Sequence, residues 1–350
     1  MQFFDLSYNS LCGPIPSDLL SPATLHTVDL SANWLHGPIP NKFSKNLYRL
    51  RLGQNLLNGS IPPELGQLLN LTYLELNDNT LKEQIPNQLG DCKSLTLLNL
   101  ANNQLQSSLP VSLGRLNLLV IMKLQQNNLT GNIPLEFSDL INLTTLDLSH
   151  NSLTGSIPPA ISNLSKLQIL NLENNNLNGS IPASLSDLQQ IIELLLGNNE
   201  LSGVIPSMPT CLSSALNLTG NKLSGSIPSQ LGAISLLEIL DLSNNYFTGT
   251  VPASFSALQG LTELVLSNNH LLSGFLPPLN PKTLVSFSGT GILNSYASAQ
   301  VNADRKRKSN TVLIVIIVVV GIVAGFLFIA AIVGLIISNR IYRVEDEVHR

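Results

Sequence analysis

One pattern of leucines and asparagines repeats along most of this chain and limits what the chain can fold into. An asparagine closes each unit and recurs every 24 residues, except for two intervals of 22 residues. The repeated asparagines are Asn9, Asn33, Asn55, Asn79, Asn103, Asn127, Asn151, Asn175, Asn199, Asn221, Asn245 and Asn269. A unit of this length cannot bury its own apolar face, so neighbouring units have to stack and share one core. The sequence therefore predicts a solenoid of about 12 turns.

Each fixed position of the unit has a physical role. Leu146 and Leu148 alternate with polar residues, which predicts a short strand with both leucines pointing inward. Asn151 follows where the chain leaves the strand, and its amide can bond backbone groups of neighbouring turns. Gly155 permits a backbone conformation closed to other residues, and Pro158 stiffens the end of the unit. Asparagine at this position therefore predicts a ladder of amides inside the coil.

This consensus, with glycine followed by Ile-Pro, resembles the plant-specific leucine-rich repeats of receptor-like kinases and receptor-like proteins. The resemblance covers residues 1–277, and the unit at residues 167–182 matches closely. Residues 81–83 and 105–107 depart from it because they lack the glycine. The resemblance implies an α/β-type leucine-rich-repeat solenoid, with short parallel strands on the concave face and 3-10 or loop segments on the convex side.

The beginning of the chain departs from that family. Relatives usually start with a signal peptide and a cysteine-paired cap, whereas Met1 already lies inside a repeat. We therefore expect the N-terminal cap to be missing from residues 1–277. The cysteines, Cys12, Cys92 and Cys211, are too far apart in sequence for a zinc site or disulfide framework. We expect neither a metal nor a cofactor.

A second segment of distinct composition follows the repeats. Residues 278–310 are predicted to form a partial C-terminal cap and a juxtamembrane linker. Residues 311–337 contain no charged side chain, and about 20 apolar residues suffice to cross a bilayer. We therefore predict a single transmembrane α-helix at 311–337 and a short cytoplasmic tail at 338–350. Gly321 and Gly325 have the spacing of a helix-pairing motif, although glycine is common in spanning helices.

The orientation in the membrane depends on conflicting signals. The basic cluster at residues 305–308 would place the repeats in the cytosol by the positive-inside rule. Seven N-x-S/T sequons favour the opposite side, although such motifs also arise by chance in asparagine-rich repeats. The sequons are at Asn58, Asn70, Asn128, Asn142, Asn163, Asn178 and Asn217. The family resemblance implies extracellular repeats, so we expect a single-pass plasma-membrane protein that contacts lipid through one helix.

The strand positions that face outward predict a ligand surface in the third to sixth repeats. Its residues are Arg49, Arg51, Tyr73, Glu75, Asp78, Leu97, Asn99, Ile121, Lys123 and Gln125. Arginine and aromatic side chains in a polar surround are typical of binding hot spots. The alternative is that Arg51 and Glu75 form only an exposed ion pair, which stabilises a protein little. We expect an extracellular peptide or other small ligand, and the resemblance implies a co-receptor ectodomain.

Three functions remain open from the sequence. Kinase signatures and other catalytic motifs are absent, so we do not expect an enzyme. The sequence also lacks a basic patch with interleaved aromatic residues, so we do not expect binding to nucleic acid. The first hypothesis is a receptor-like protein that signals through a partner kinase. The second is a truncated receptor-like Ser/Thr kinase whose catalytic domain lies beyond residue 350. The third is a non-signalling decoy or enzyme inhibitor, which the spanning segment disfavours.

Overall fold

A computed structural model describes residues 2–293, and these residues form a stack of repeat turns. One parallel sheet of 13 strands runs the length of the stack, and we call it the main sheet. Its strands are β1 (Phe3–Asp5), β3 (Thr27–Asp29), β5 (Arg49–Arg51), β7 (Tyr73–Glu75), β9 (Leu97–Asn99), β11 (Ile121–Lys123), β13 (Thr145–Asp147), β15 (Ile169–Asn171), β17 (Glu193–Leu195), β19 (Ala215–Asn217), β21 (Ile239–Asp241), β23 (Glu263–Val265) and β25 (Leu284–Ser286). The predicted solenoid with short parallel strands is confirmed.

A second set of parallel strands follows the main-sheet strand of each turn, and we call these the flank strands. They group into sheets of 4, 3 and 6 strands. They are β2 (Cys12–Pro14), β4 (Trp34–Pro38), β6 (Leu56–Ser60), β8 (Thr80–Lys82), β10 (Gln106–Ser108), β12 (Asn128–Gly131), β14 (Ser152–Leu153), β16 (Asn178–Ser180), β18 (Glu200–Gly203), β20 (Lys222–Ser226), β22 (Tyr246–Thr250), β24 (Leu271–Phe275) and β26 (Gly291–Leu293). The flank strands were not anticipated from the sequence.

Short 3-10 helices occupy the return path of most turns, as predicted. They are η1 (Pro63–Gln67), η2 (Asn87–Asp91), η3 (Val111–Arg115), η4 (Leu135–Asp139), η5 (Pro159–Asn163), η6 (Ala183–Asp187), η7 (Ser229–Ala233) and η8 (Ala253–Ala257). Each helix begins directly after a proline in the extended conformation, because proline fixes φ and lacks the N–H that a helix start leaves unbonded.

The core is a continuous column of leucines bounded by the asparagine ladder. Leu50 and Leu74 are fully buried beneath neighbouring main-sheet strands. Asn103 shows the ladder: its Nδ2 donates to the carbonyl of Leu76 at 3.0 Å and to that of Leu100 at 3.1 Å. Its Oδ1 accepts from the N–H of Leu81 at 3.0 Å. From Asn33 onward, the side chain of each repeated asparagine bonds its own turn and the preceding one, as the sequence predicts, whereas that of Asn9 bonds only its own turn.

The stack continues past residue 277. Strand β25 pairs with β23, and β26 pairs with β24, so residues 278–293 add another turn where a cap and linker were predicted. Residues 294–310 lie outside the described part of the chain. So do the predicted spanning segment at 311–337, with Gly321 and Gly325, and the tail at 338–350. Among residues 2–293, no helix has the length and apolarity that a bilayer crossing needs.

Candidate functional site

The predicted ligand residues form two rows across four adjacent main-sheet strands, β5, β7, β9 and β11. One row aligns Arg49, Tyr73, Leu97 and Ile121 in register. The other row aligns Arg51, Glu75, Asn99 and Lys123. Neighbouring strands of a sheet lie about 4.8 Å apart, so each row spans about 14 Å. The structure therefore brings these eight predicted residues together on one partly exposed face.

Asp78 and Gln125 border these rows where the chain leaves β7 and β11. Asp78 accepts hydrogen bonds from Asn77 Nδ2 at 2.6 Å and from Asn102 Nδ2 at 2.5 Å, which satisfies both carboxylate oxygens. The Oε1 atom of Gln125 is buried and has no hydrogen-bond partner within the described residues. Asp78 therefore belongs to the scaffold, whereas the amide oxygen of Gln125 is unpaired but shielded from solvent.

Two tyrosine rings pack beside Arg49 at the end of this surface. The rings of Tyr48 and Tyr73 meet edge to face, with centroids 5.4 Å apart and planes at 74°. The guanidinium carbon of Arg49 lies 4.4 Å from the centroid of the Tyr73 ring, which is a cation–π contact. Tyr48 was not predicted, because it precedes the strand and falls outside the two rows. Its position directly before Arg49 was the available signal.

Arg51 is neutralised within the protein. Its Nη1 lies 2.9 Å from Asp29 Oδ2, and its Nε lies 2.9 Å from Glu75 Oε1. The pair between Arg51 and Glu75 that the sequence suggested is present, and Asp29 is an additional partner from the preceding strand. Arg49 differs, because within residues 2–293 it forms no ion pair. Its side chain is only partly exposed, and its Nε has no hydrogen-bond partner in the described part of the chain.

A second polar cluster lies further along the main sheet and was missed by the sequence analysis. Asn217 in β19 donates from Nδ2 to Oε1 of Glu173 at 2.5 Å, although the two residues are 44 positions apart. This bond crosses Gly197, where an added Cβ would lie 3.0 Å from the same oxygen. Burial raises the pKa of Glu173 above its usual range. The only signal in the sequence was that Gly197 occupies the repeat position that Glu173 occupies one unit earlier.

The sequons occupy different surfaces of the solenoid. Three lie on flank strands, at Asn58, Asn128 and Asn178, and Asn217 lies on the main sheet. Asn70 and Asn142 precede main-sheet strands, and Asn163 ends η5. No group of histidine, cysteine and acidic residues suited to a metal ion occurs among the described residues. Cys92 is buried, its thiol donates to the carbonyl of Leu65 at 3.2 Å, and burial raises its pKa to about 12.

Family models described as leucine-rich repeat match most of the solenoid. One matches residues 117–177, 141–201 and 214–271, and another matches residues 46–68, 70–92 and 94–116. No curated protein matches the chain significantly. The family matches therefore cover more than half of the chain, and they agree with the turns that the structure shows.

Solved structures with the same fold include receptors. A TDR receptor is 32% identical, with a TM-score of 0.79 over 83% of this chain and 52% of that one. The Arabidopsis receptor kinase HAESA, in complex with the peptide hormone IDA and the co-receptor SERK1, is 36% identical, with a TM-score of 0.75 over 84% and 54%. The plant peptide hormone receptor RGFR1, in complex with RGF2, is 27% identical, with a TM-score of 0.65 over 84% and 62%.

These similarities identify the family and show how much of its relatives this chain spans. The chain spans about half the length of the first two structures that it resembles. The repeat consensus, the stacked turns of the structure and the family matches agree within residues 46–271, where the matches leave out residues 202–213. The chain therefore belongs to the leucine-rich-repeat family, and the solved structures that it resembles include ectodomains of plant receptors.

Proposed function

We propose that this chain is a cell-surface receptor-like protein that binds an extracellular peptide on the main sheet and signals through a partner kinase. Arg49 is the observation that carries the proposal. Its cation lies on the Tyr73 ring and has no carboxylate partner within residues 2–293, while the nearby Arg51 is paired with Asp29 and Glu75. A partly buried cation without a counter-charge favours binding of an anionic group, because such a pair gains a charge-assisted hydrogen bond.

The ligand class follows from the shape and chemistry of the patch. Two rows of side chains across four short strands present a narrow track, which suits an extended chain better than a compact molecule. Arginine recognises carboxylates through two parallel N–H donors, so a free peptide carboxylate matches Arg49. Tyr48 next to Arg49, and Leu97 on the far side of Tyr73 in the same row, supply apolar area. HAESA and RGFR1, which resemble this chain, are both described with bound peptide hormones, which supports the peptide class.

Signalling requires a second component. The described residues consist of repeat turns, so the proposed signal passes to a co-receptor ectodomain and then to a partner kinase. The structure of HAESA includes the co-receptor SERK1, which supports this arrangement. In this proposal the chain lies in the plasma membrane with its repeats outside and residues 311–337 spanning the lipid. The alternative is the ectodomain of a receptor-like Ser/Thr kinase, which the description of HAESA as a receptor kinase favours.

A peptide-binding measurement tests the role of Arg49. The probe is a synthetic library of extended peptides with free C-terminal carboxylates, and the same library with amidated C-termini is the comparison. The full chain in detergent is expected to select peptides from the first library only. Arg49→Ala should weaken binding of a selected peptide about 30-fold, which equals about 2 kcal/mol and is typical of a hot-spot residue.

Arg115 provides the matched control. It lies in η3, is exposed, and approaches Asp91 only to 3.9 Å. Arg115→Ala removes the same charge from the chain and should leave the affinity unchanged. Equal binding by the Arg49→Ala variant and the wild type would show that the unpaired arginine is not the recognition group.

A further inference from the structure

We infer that Asn58, Asn128 and Asn178 carry N-linked glycans along the flank strands, and that Asn217 on the main sheet stays unmodified in the folded protein. The inference rests on the extracellular placement of the repeats in the proposed function. All four residues head an N-x-S/T sequon, so the motif alone does not separate them. Their surroundings in the fold do.

The three flank asparagines point into solvent. Each follows or precedes a fully buried leucine, and successive side chains of a strand point to opposite faces, so the asparagines face outward. The buried leucines are Leu57, Leu129 and Leu177. All three asparagines are exposed, and within the described residues none of their side-chain amides forms a hydrogen bond. A glycan is bulky and solvated, and at these positions it displaces no contact of the protein.

Both polar atoms of the Asn217 side-chain amide form hydrogen bonds. The Nδ2 atom of Asn217 donates to Glu173 Oε1 at 2.5 Å, and its Oδ1 accepts from the N–H of Thr219 at 3.0 Å. A glycan would be attached to Nδ2, the same atom that makes the bridge. Steric displacement of this amide would leave the partly buried carboxylate of Glu173 without its donor, which costs free energy because a buried polar group has lost its partner.

The bridge also depends on the space above β17. The Glu173 carboxylate reaches Asn217 by lying over Gly197, where even a methyl group would approach it to 3.0 Å. A sugar on Asn217 would have to share this same narrow region of the sheet. A chain modified there cannot keep the native arrangement of the two side chains, so folded molecules are selected for an unmodified Asn217. The main sheet then stays free of sugar while glycans cover part of the flank.

Single substitutions and gel mobility test this pattern. The full chain is expressed behind a cleavable secretion signal in insect cells, so entry into the secretory pathway does not depend on its own termini. Asn58→Gln, Asn128→Gln and Asn178→Gln should each increase mobility by the mass of one glycan. Asn217→Gln should leave mobility unchanged, and complete glycosidase digestion should bring all variants to one position.

Mass spectrometry of the wild type gives a second readout that does not require any variant to fold. Peptides released after glycosidase treatment in heavy-oxygen water should show near-complete labelling at the three flank asparagines and background labelling at Asn217. Substantial labelling at Asn217, or background labelling at any flank asparagine, would overturn the inference. The ligand proposal is tested independently of this inference, because its test depends on Arg49 and on none of the sequons.

Discussion

At the residue scale, two non-glycine residues adopt a backbone conformation that glycine adopts at the same repeat position elsewhere in the solenoid. Glu83 has a φ of 65° and Ser107 a φ of 71°, close to the 75° of Gly59 and Gly131 at the equivalent position. Residues with a Cβ are strained in this left-handed region. These two residues fall in the units that lack the consensus glycine, so the sequence identified where the exceptions lie. It could not show that the backbone keeps the glycine conformation there.

Replacing Ser107 by glycine should therefore stabilise the protein. The change removes the left-handed strain and adds backbone entropy to the unfolded chain, which leaves a net gain of about 0.5–1 kcal/mol. Chemical denaturation of the full chain measures it. Gly59→Ala is the matched reverse change, because the nearest atom to the new methyl group is 3.7 Å away and the cost is conformational. A destabilised Ser107→Gly variant would refute the strain argument.

Glu173 gives a prediction about pH. Burial raises the pKa of its carboxyl in the folded state, Asp147 and Asp241 raise it further, and His150 lowers it in part. The folded protein therefore holds this proton more tightly than the unfolded chain, and stability falls as pH rises from the unfolded-state pKa through the raised folded-state pKa. Glu173→Gln should remove this decline while its amide oxygen still accepts from Asn217. Unfolding midpoints are measured for both proteins across this pH range. An equal fall in the midpoints of the variant and the wild type would contradict this explanation.

The proposed binding surface was predictable in part because strand positions facing outward follow from the period of two. Arg49, Tyr73 and Lys123 were located in this way. The second partner of Arg51, Asp29, was missed because it lies in a unit with an otherwise ordinary sequence. The bridge between Glu173 and Asn217 was missed because it skips a whole turn, and side-chain reach is not encoded in the repeat.

At the element scale, the asparagine ladder joins each turn to the next. The side chain of Asn103 bonds four backbone groups, two in its own turn and two in the preceding turn. Asn103→Ala should cost about 1–3 kcal/mol, because the N–H of Leu81 is left buried without its acceptor, while the carbonyl of Leu76 keeps only the donor from Asn79. Asn176→Ala removes an exposed asparagine from a nearby turn and should change the unfolding midpoint little. Equal effects of the two substitutions would show that the ladder does not hold the turns together.

The main-sheet strands were predictable as elements, whereas the flank strands were not. Alternating leucines give the main strands a clear signal of period two. Flank strands such as β6 contain Leu57 as their one buried residue, followed by polar residues and glycine, so no alternation marks them. The turn formed by β25 and β26 was missed for a related reason. Its leucines and isoleucine do not keep the spacing of the consensus, although Ile292 is buried.

At the scale of the whole molecule, the fold was predictable because every turn repeats the same requirements. The core leucines and asparagines are specified again in each unit, so local departures leave the stack intact. Ligand identity was not predictable, because the exposed residues of the main sheet are not needed for stacking. Function therefore has to be argued from individual side chains and not from the fold.

Hydrogen–deuterium exchange of the full chain, with and without a peptide selected from the carboxylate library, tests most directly that the main sheet is the binding surface. The account predicts slower exchange in β5, β7, β9 and β11 when the peptide is bound, with unchanged exchange in helices η1 to η4 of the same turns. Protection confined to these helices or to the flank strands would contradict it, because the ligand would then bind a surface that Arg49 does not reach.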